Sequence, residues 1–177
     1  MVNKTAINII KILLAEDHVV VRQGTRQLLE HEPDFEIVGE AGDGEEAVRL
    51  AIKLKPDVVI MDVAMPKLSG IEATKQIKAV LPSTMVLVLT GYDYDEYIFS
   101  MLEAGAAGYL LKNVSGDELI NAVRAVYSGE PTIHPAVLSK MITRFRTPVS
   151  PPEPIEVPQP VSDREMEVLK TAAKGKT

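Results

Sequence analysis

The chain has 177 residues, 46% hydrophobic and 25% charged, with a formal net charge of −6. That length and apolar content allow one compact domain plus an appendage, and the acidic balance leaves no general electrostatic footprint for nucleic acid. The absence of cysteine excludes disulfides, cysteine zinc sites and thiol catalysis; no stretch approaches the ~18 apolar residues of a membrane span, and no small-residue cleavage site follows an apolar run, so a cytoplasmic protein without membrane contact is the expectation.

From residue 9 to 129, strand-like and helix-like patterns alternate. Residues 9–15 (IIKILLA) form a first apolar run, closed by Glu16 and Asp17. Residues 20–31 have helical spacing at Val21, Thr25, Leu28 and Leu29, and Pro33 stops them. Residues 35–41 read as a second strand. Gly42-Asp43-Gly44 is a turn. It is no G-x-G-x-x-G and follows the second strand, so it gives a dinucleotide site little support. Residues 45–54 are an amphipathic helix with Ala47, Val48, Ala51 and Leu54 on one face.

The run Val58-Val59-Ile60-Met61 ends at Asp62 and predicts a third strand, buried on both faces. Ser69-Gly70 opens a helix with Ile71, Thr74, Ile77 and Leu81 inward, and Pro82 ends it. Residues 85–90 are a continuous apolar strand closed by Thr90. Residues 95–104 are helical, with Gly105 as the glycine beyond the C-cap. Residues 107–111 are the fifth strand, followed by Lys112. Ser115, Asp117 and Glu118 place a hydroxyl and acids at the positive end of a last helix. Five βα units with short connections predict a five-stranded parallel sheet with helices on both faces. Right-handed crossovers bring all strand C-termini to one edge.

Beyond residue 130 the pattern changes. Residues 135–146 predict one more helix, with Val137, Met141, Ile142 and Phe145 apolar. Proline density over 147–160 precludes helix and favours an extended linker. Ser162 and Glu165 then form a capping box for a helix carrying Met166, Val168, Leu169 and Ala172. One such helix cannot fold alone.

Glu16, Asp17 and Asp62, each read alone, serve equally well as helix caps or solvated loop residues. Together at one sheet edge they repel without a counter-ion, and Mg²⁺, which takes oxygen ligands, suits them. The backbone carbonyl of Ala64 can add a ligand. Lys112 is either a strand-end lysine reaching for solvent or a point charge for Asp62 or a bound phosphate. Thr90 is a β-branched strand residue or a hydroxyl for a phosphoryl oxygen. Tyr109 reads as a half-buried strand aromatic. His18, His31 and His134 are scattered and read as non-catalytic, with His18 opening a helix and pointing away from the acids.

Leu14-Ala15-Glu16-Asp17-His18, the run from Val59 to Pro66, Leu87-Val88-Leu89-Thr90 and the run from Gly105 to Lys112 closely resemble a two-component response-regulator receiver domain. The match runs over about residues 11–127. The stretch from Val161 to Leu169 resembles the opening of a helix-turn-helix output domain of the NarL/FixJ (LuxR-type) subfamily. The resemblance implies a flavodoxin-like, doubly wound (βα)5 receiver over 9–130. An extra helix (131–146), a proline-rich linker (147–160) and the truncated start of a DNA-binding domain (161–177) would follow. It implies that Asp62 accepts a phosphoryl group from a sensor histidine kinase, and that Glu16, Asp17 and Asp62 hold Mg²⁺. Thr90 and Lys112 would contact the phosphoryl oxygens, and Tyr109 would be the aromatic that turns inward as Thr90 moves. Conformational switching, homodimerisation on phosphorylation and transcriptional control would follow. Promoter binding would belong only to the full-length protein, because the recognition helix is not in this sequence.

One departure concerns the site. Gly91 follows Thr90 where the family more often has Ala or Ser, and a missing side chain there would ease access to the phosphate and speed its loss. Two other functions compete. A haloacid-dehalogenase-like, Mg²⁺-dependent phosphatase also uses a strand-end aspartate but wants a second acid two residues on, where this chain has Ala64. A pseudo-receiver would share the fold without ever being phosphorylated. The expectation is a regulator that catalyses only its own phosphorylation and dephosphorylation, not an enzyme acting on other substrates.

Overall fold

The computed structural model describes residues 8–146. The linker and capping-box helix expected over 147–177 lie outside the described residues. Strand β1 (Ile10–Ala15) leads to helix α1 (Val19–Glu30), then β2 (Phe35–Ala41), α2 (Gly44–Leu54), β3 (Val58–Met61), α3 (Gly70–Val80) and β4 (Met85–Thr90). The chain continues through α4 (Asp95–Glu103), β5 (Gly108–Leu111), α5 (Gly116–Tyr127), β6 (Thr132–Ile133) and α6 (Pro135–Arg146).

All strand pairs are parallel, in the order β2-β1-β3-β4-β5-β6. Strand alternation divides the core into two layers. Leu13, Val59, Met61, Val86 and Val88 face Ala47 and Ala51 of α2, Ala73 and Ile77 of α3, Ile98 and Met101 of α4 and Val137 of α6. Ile12, Leu14, Val58, Ile60 and Leu87 face Leu29 of α1 and Leu119, Val123 and Val126 of α5. Both faces of the central strands are therefore covered, which is why they read as unbroken apolar runs rather than alternating ones.

Local chemistry starts and stops the helices. Asp43 accepts from the Glu46 N–H at 2.8 Å, and Ser69 from the Glu72 N–H at 3.2 Å. Ser115 and Glu118 form a reciprocal capping box, with distances of 3.2 and 2.7 Å. Gly105 has φ +101° just past α4, a conformation that costs glycine little.

The five-stranded expectation is corrected by β6. Gly129, at φ +84°, turns the chain back after α5. Thr132 and Ile133 then pair with Gly108 and Tyr109. A Cβ on Gly108 would lie 2.8 Å from the Thr132 carbonyl oxygen, so the glycine permits this approach. Two residues are too few to show a period, which hid the strand in the sequence.

Candidate functional site

The sheet order reverses direction between β1 and β3, and the strand ends beside that point are where open α/β sheets hold ligands. Ala15 pairs with Met61. Glu16 and Asp62, each one residue further on, therefore leave the sheet side by side. The Asp62 N–H donates to the Ala15 carbonyl at 2.9 Å, and the Glu16 N–H to the Ala41 carbonyl at 3.0 Å. Thr90 pairs with Leu111, and the Lys112 N–H donates to the Thr90 carbonyl at 2.9 Å. Backbone register alone thus carries Glu16, Asp17, Asp62, Thr90 and Lys112 to one edge.

Asp62 is 2% exposed and Glu16 7%. Burial of that degree requires partners. The Val63 N–H donates to Asp62 Oδ1 at 2.7 Å, and Lys112 Nζ to Asp62 Oδ2 at 2.8 Å. The same ammonium lies 2.7 Å from Glu16 Oε2. Burial alone would lower the Lys112 pKa. Hydrogen bonds and charge from Asp62 and Glu16 outweigh it, and the net shift is upward. Lys112 is therefore a fixed cation bridging two carboxylates, not a lysine reaching for solvent.

Ligand atoms of Glu16, Asp17, His18 and Asp62 lie within 4.8 Å of one another. Asp17 Oδ1 is buried and accepts no hydrogen bond, although His18 Nδ1 approaches it to 3.1 Å. Ala64 sits half-buried in the loop between β3 and α3.

His18 corrects the sequence reading. It is the N-cap residue in extended conformation, not the first residue of α1. Its ring turns back toward the acids, with Nδ1 3.0 Å from Glu16 Oε1. Its backbone N–H also donates to that oxygen at 3.0 Å. His31 and His134 lie elsewhere, bonded to the Gln27 carbonyl and the Ala136 N–H respectively.

Tyr109 is also more enclosed than the half-buried reading allowed: its exposure is 0%. Val137 of α6 joins the same apolar cluster, and this cover follows the fifth strand by too many residues to be read from local pattern. The Tyr109 hydroxyl donates to the Tyr92 carbonyl at 2.8 Å. Burial, then the negative charges of Asp93 and Asp62, push its pKa well above the ordinary phenol value. Thr90 is wholly buried, and its hydroxyl accepts from the Tyr92 N–H at 3.4 Å. Tyr92 thus links Thr90, at the end of β4, to the aromatic ring one strand away.

Sequence reasoning missed three supports. Arg22 donates to the Glu16 carbonyl and lies 3.5 Å from Glu40, fastening the turn that carries the acids. A Cβ on Gly70 would lie 1.9 Å from the Asp62 carbonyl oxygen, and one on Gly44 1.9 Å from that of Leu68. The two glycines let α2 and α3 close on the loop after Asp62. A cation in the first turn of a helix, where the dipole disfavours it, was the only sequence signal for Arg22. The glycines gave none, because both also open helices.

The arrangement can present a desolvated, oriented carboxylate as a nucleophile beside oxygen ligands for a cation and a fixed ammonium. Residues 12–124 match the family model described as the response regulator receiver domain. The chain is 43% identical over 168 residues to the transcriptional regulatory protein LiaR of Bacillus subtilis, covering 95% of this chain and 78% of that one. It is 41% identical over 171 residues to the oxygen regulatory protein NreC of Staphylococcus carnosus, covering 93% and 77%. Among solved structures, a LuxR-family two-component response regulator from Aurantimonas superposes with a TM-score of 0.74 at 33% identity, over 78% of this chain and 99% of that one. The RcsB response regulator of Salmonella typhimurium gives 0.71 at 27% identity, over 96% and 80%. Among the described residues no helix is long and apolar enough to cross a membrane.

Proposed function

The chain belongs to the response-regulator receiver family, in its NarL/FixJ (LuxR-type) branch, and from that footing we propose that Asp62 is its phospho-acceptor. The observation that carries this reading is the paired restraint on Asp62, with Val63 N–H at 2.7 Å on one oxygen and Lys112 Nζ at 2.8 Å on the other. The protein is a two-component response regulator that controls transcription. It works in the cytoplasm, its donor is the phosphohistidine of a sensor histidine kinase, and its output in the full-length protein is directed at promoter DNA.

The residues fit a hard divalent cation. Asp17 Oδ1 is buried without a hydrogen bond, while Glu16 and Asp62 share the one ammonium of Lys112. Glu16, Asp17, Asp62 and the Ala64 carbonyl would hold Mg²⁺. When bound, the ion neutralises charge on the transferring phosphoryl group. The remaining steps belong to the side chains. An Asp62 oxygen forms the new P–O bond as the donor's P–N bond breaks. Lys112 exchanges its bond to Asp62 for one to a phosphoryl oxygen. Thr90 turns its hydroxyl to another and releases the Tyr92 N–H.

A substrate-turning phosphatase has less support, because Ala64 stands where that chemistry needs a second acid. Incubation with Mg²⁺ and acetyl phosphate tests the reading. The expected result is a stable gain of one phosphoryl mass on Asp62, absent in Asp62→Asn. No adduct and no spectral change with beryllium fluoride would leave a pseudo-receiver. Continuous phosphate release from diverse monoesters would leave an enzyme.

A further inference from the structure

We propose that Lys140 of α6 is a positioning residue that ties this helix to the loop between β4 and α4, so that α6 follows the state of that loop. Two neighbouring residues of the loop are held from opposite directions. Tyr92 is held from the sheet, its N–H facing Thr90 Oγ1 at 3.4 Å and its carbonyl accepting the Tyr109 hydroxyl at 2.8 Å. Asp93 is held from α6. Lys140 Nζ donates to its carbonyl, lies 3.0 Å from its carboxylate and reaches Asp95 at 4.0 Å.

The helix is also seated on Tyr109 itself. The His134 N–H donates to the Tyr109 carbonyl at 2.9 Å, and Ile133 pairs with Tyr109 across the sheet. Val137 is buried in the cluster that holds Tyr109, Ile98 and Met101, with Met141 against it. Apolar burial of this kind holds α6 on the domain but has no direction. The Lys140 bond does have one, because it ends on a single peptide carbonyl. Any displacement that separates Tyr92 from Thr90 carries the next carbonyl with it, and Lys140 must follow or let go. Lys140 and Asp93 are both substantially exposed, so the bond is cheap to exchange, as a two-state link requires.

Hydrogen exchange on the full chain tests this in wild type, Lys140→Ala, Lys140→Arg and Val137→Ala. Without ligand, Lys140→Ala should raise exchange over residues 91–95 by about two- to fivefold, the effect of losing one exposed charge-assisted bond. Lys140→Arg should restore protection. Val137→Ala should loosen 135–146 without singling out 91–95, which separates positioning from docking. With Mg²⁺ and beryllium fluoride, exchange should change over 91–95 and 135–146 together in wild type, but over 91–95 alone in Lys140→Ala. Wild-type exchange over 91–95 in unliganded Lys140→Ala overturns the proposal, as does an α6 response to ligand that survives Lys140→Ala. The liganded arm rests on Asp62 as acceptor. If beryllium fluoride leaves the peptides around Asp62 unchanged, that reading fails, and the unliganded comparison still decides the role of Lys140.

Discussion

Lys112 serves two chemistries that its substitution should separate. Its ammonium bridges Glu16 and Asp62 at 2.7 and 2.8 Å, so it competes with any cation for those oxygens and also serves the phosphoryl group. Lys112→Ala should therefore bind Mg²⁺ several-fold more tightly by calorimetry while phosphorylation by acetyl phosphate slows by about 100-fold. Parallel loss of both would show that Lys112 only holds the acids in place. Two glycines near the acceptor predict opposite outcomes. A Cβ on Gly91 meets nothing within 4 Å, whereas one on Gly70 would lie 1.9 Å from the Asp62 carbonyl oxygen. Gly91→Ala should leave the urea midpoint within about 0.5 kcal/mol of wild type and lengthen the acyl-phosphate lifetime by narrowing the approach to Asp62. Equal lifetimes would show that Gly91 sets nothing. Gly70→Ala should cost about 2 kcal/mol or more, because backbone must move.

Residues whose element ends at the site were legible because their chemistry is local. The apolar run to Met61 places Asp62 at a strand end whatever follows, and Ser115 with Glu118 marks the start of α5. What was hidden depends on pairs distant in sequence. His18 was read as part of α1 because the apolar Val19-Val20-Val21 begins beside it; only the fold-back to Glu16 reveals an N-cap. Gly44 looked like an ordinary turn residue and Gly70 like an ordinary helix opening until the loop after Asp62 packed against them. Another such pair fixes α5 to the turn between α1 and β2. Arg124 donates to Asp34 at 2.8 and 2.7 Å, pairs with Glu32, and stands 5.0 Å over the Phe35 ring. Its hydrogen bonds hold the Asp34 carboxyl below the ordinary carboxylate range. The folded value lies below the unfolded one, so the pair stabilises fully above about pH 4 and is lost as pH falls through the lowered value. Arg124 is 39% exposed, so solvent screens the gain to about 1 kcal/mol. Urea midpoints of wild type and Asp34→Asn should differ by that amount at about pH 6, and the gap should close as pH falls through the lowered Asp34 value. A gap that persists in acid would assign the difference to packing instead.

At the scale of the whole molecule, the sheet gathers like charge where its strand order reverses, and the fold carries the cost until a ligand arrives. Glu16, Asp17 and Asp62 supply three negative charges against the one ammonium of Lys112. Glu16 and Asp62 are almost fully buried, so water screens their repulsion weakly. The acids hang from β1 and β3, the two strands on either side of the reversal, and β1 and β3 contribute to both core layers. Anything that relieves the site therefore stabilises the domain as a unit. A cation that binds only the folded form should raise the unfolding free energy by about 2.7 kcal/mol at ~100 times its dissociation constant. Thermal unfolding with and without Mg²⁺ checks this, and chelation should return the midpoint to its starting value. Asp17→Asn should behave in the opposite sense. Removing one of three like charges should make the metal-free protein more stable than wild type, and the increment from Mg²⁺ should shrink. If Asp17→Asn is no more stable without metal, repulsion among the acids is already balanced by Lys112. If Mg²⁺ leaves the wild-type midpoint unmoved, the orphaned Asp17 oxygen is not a ligand.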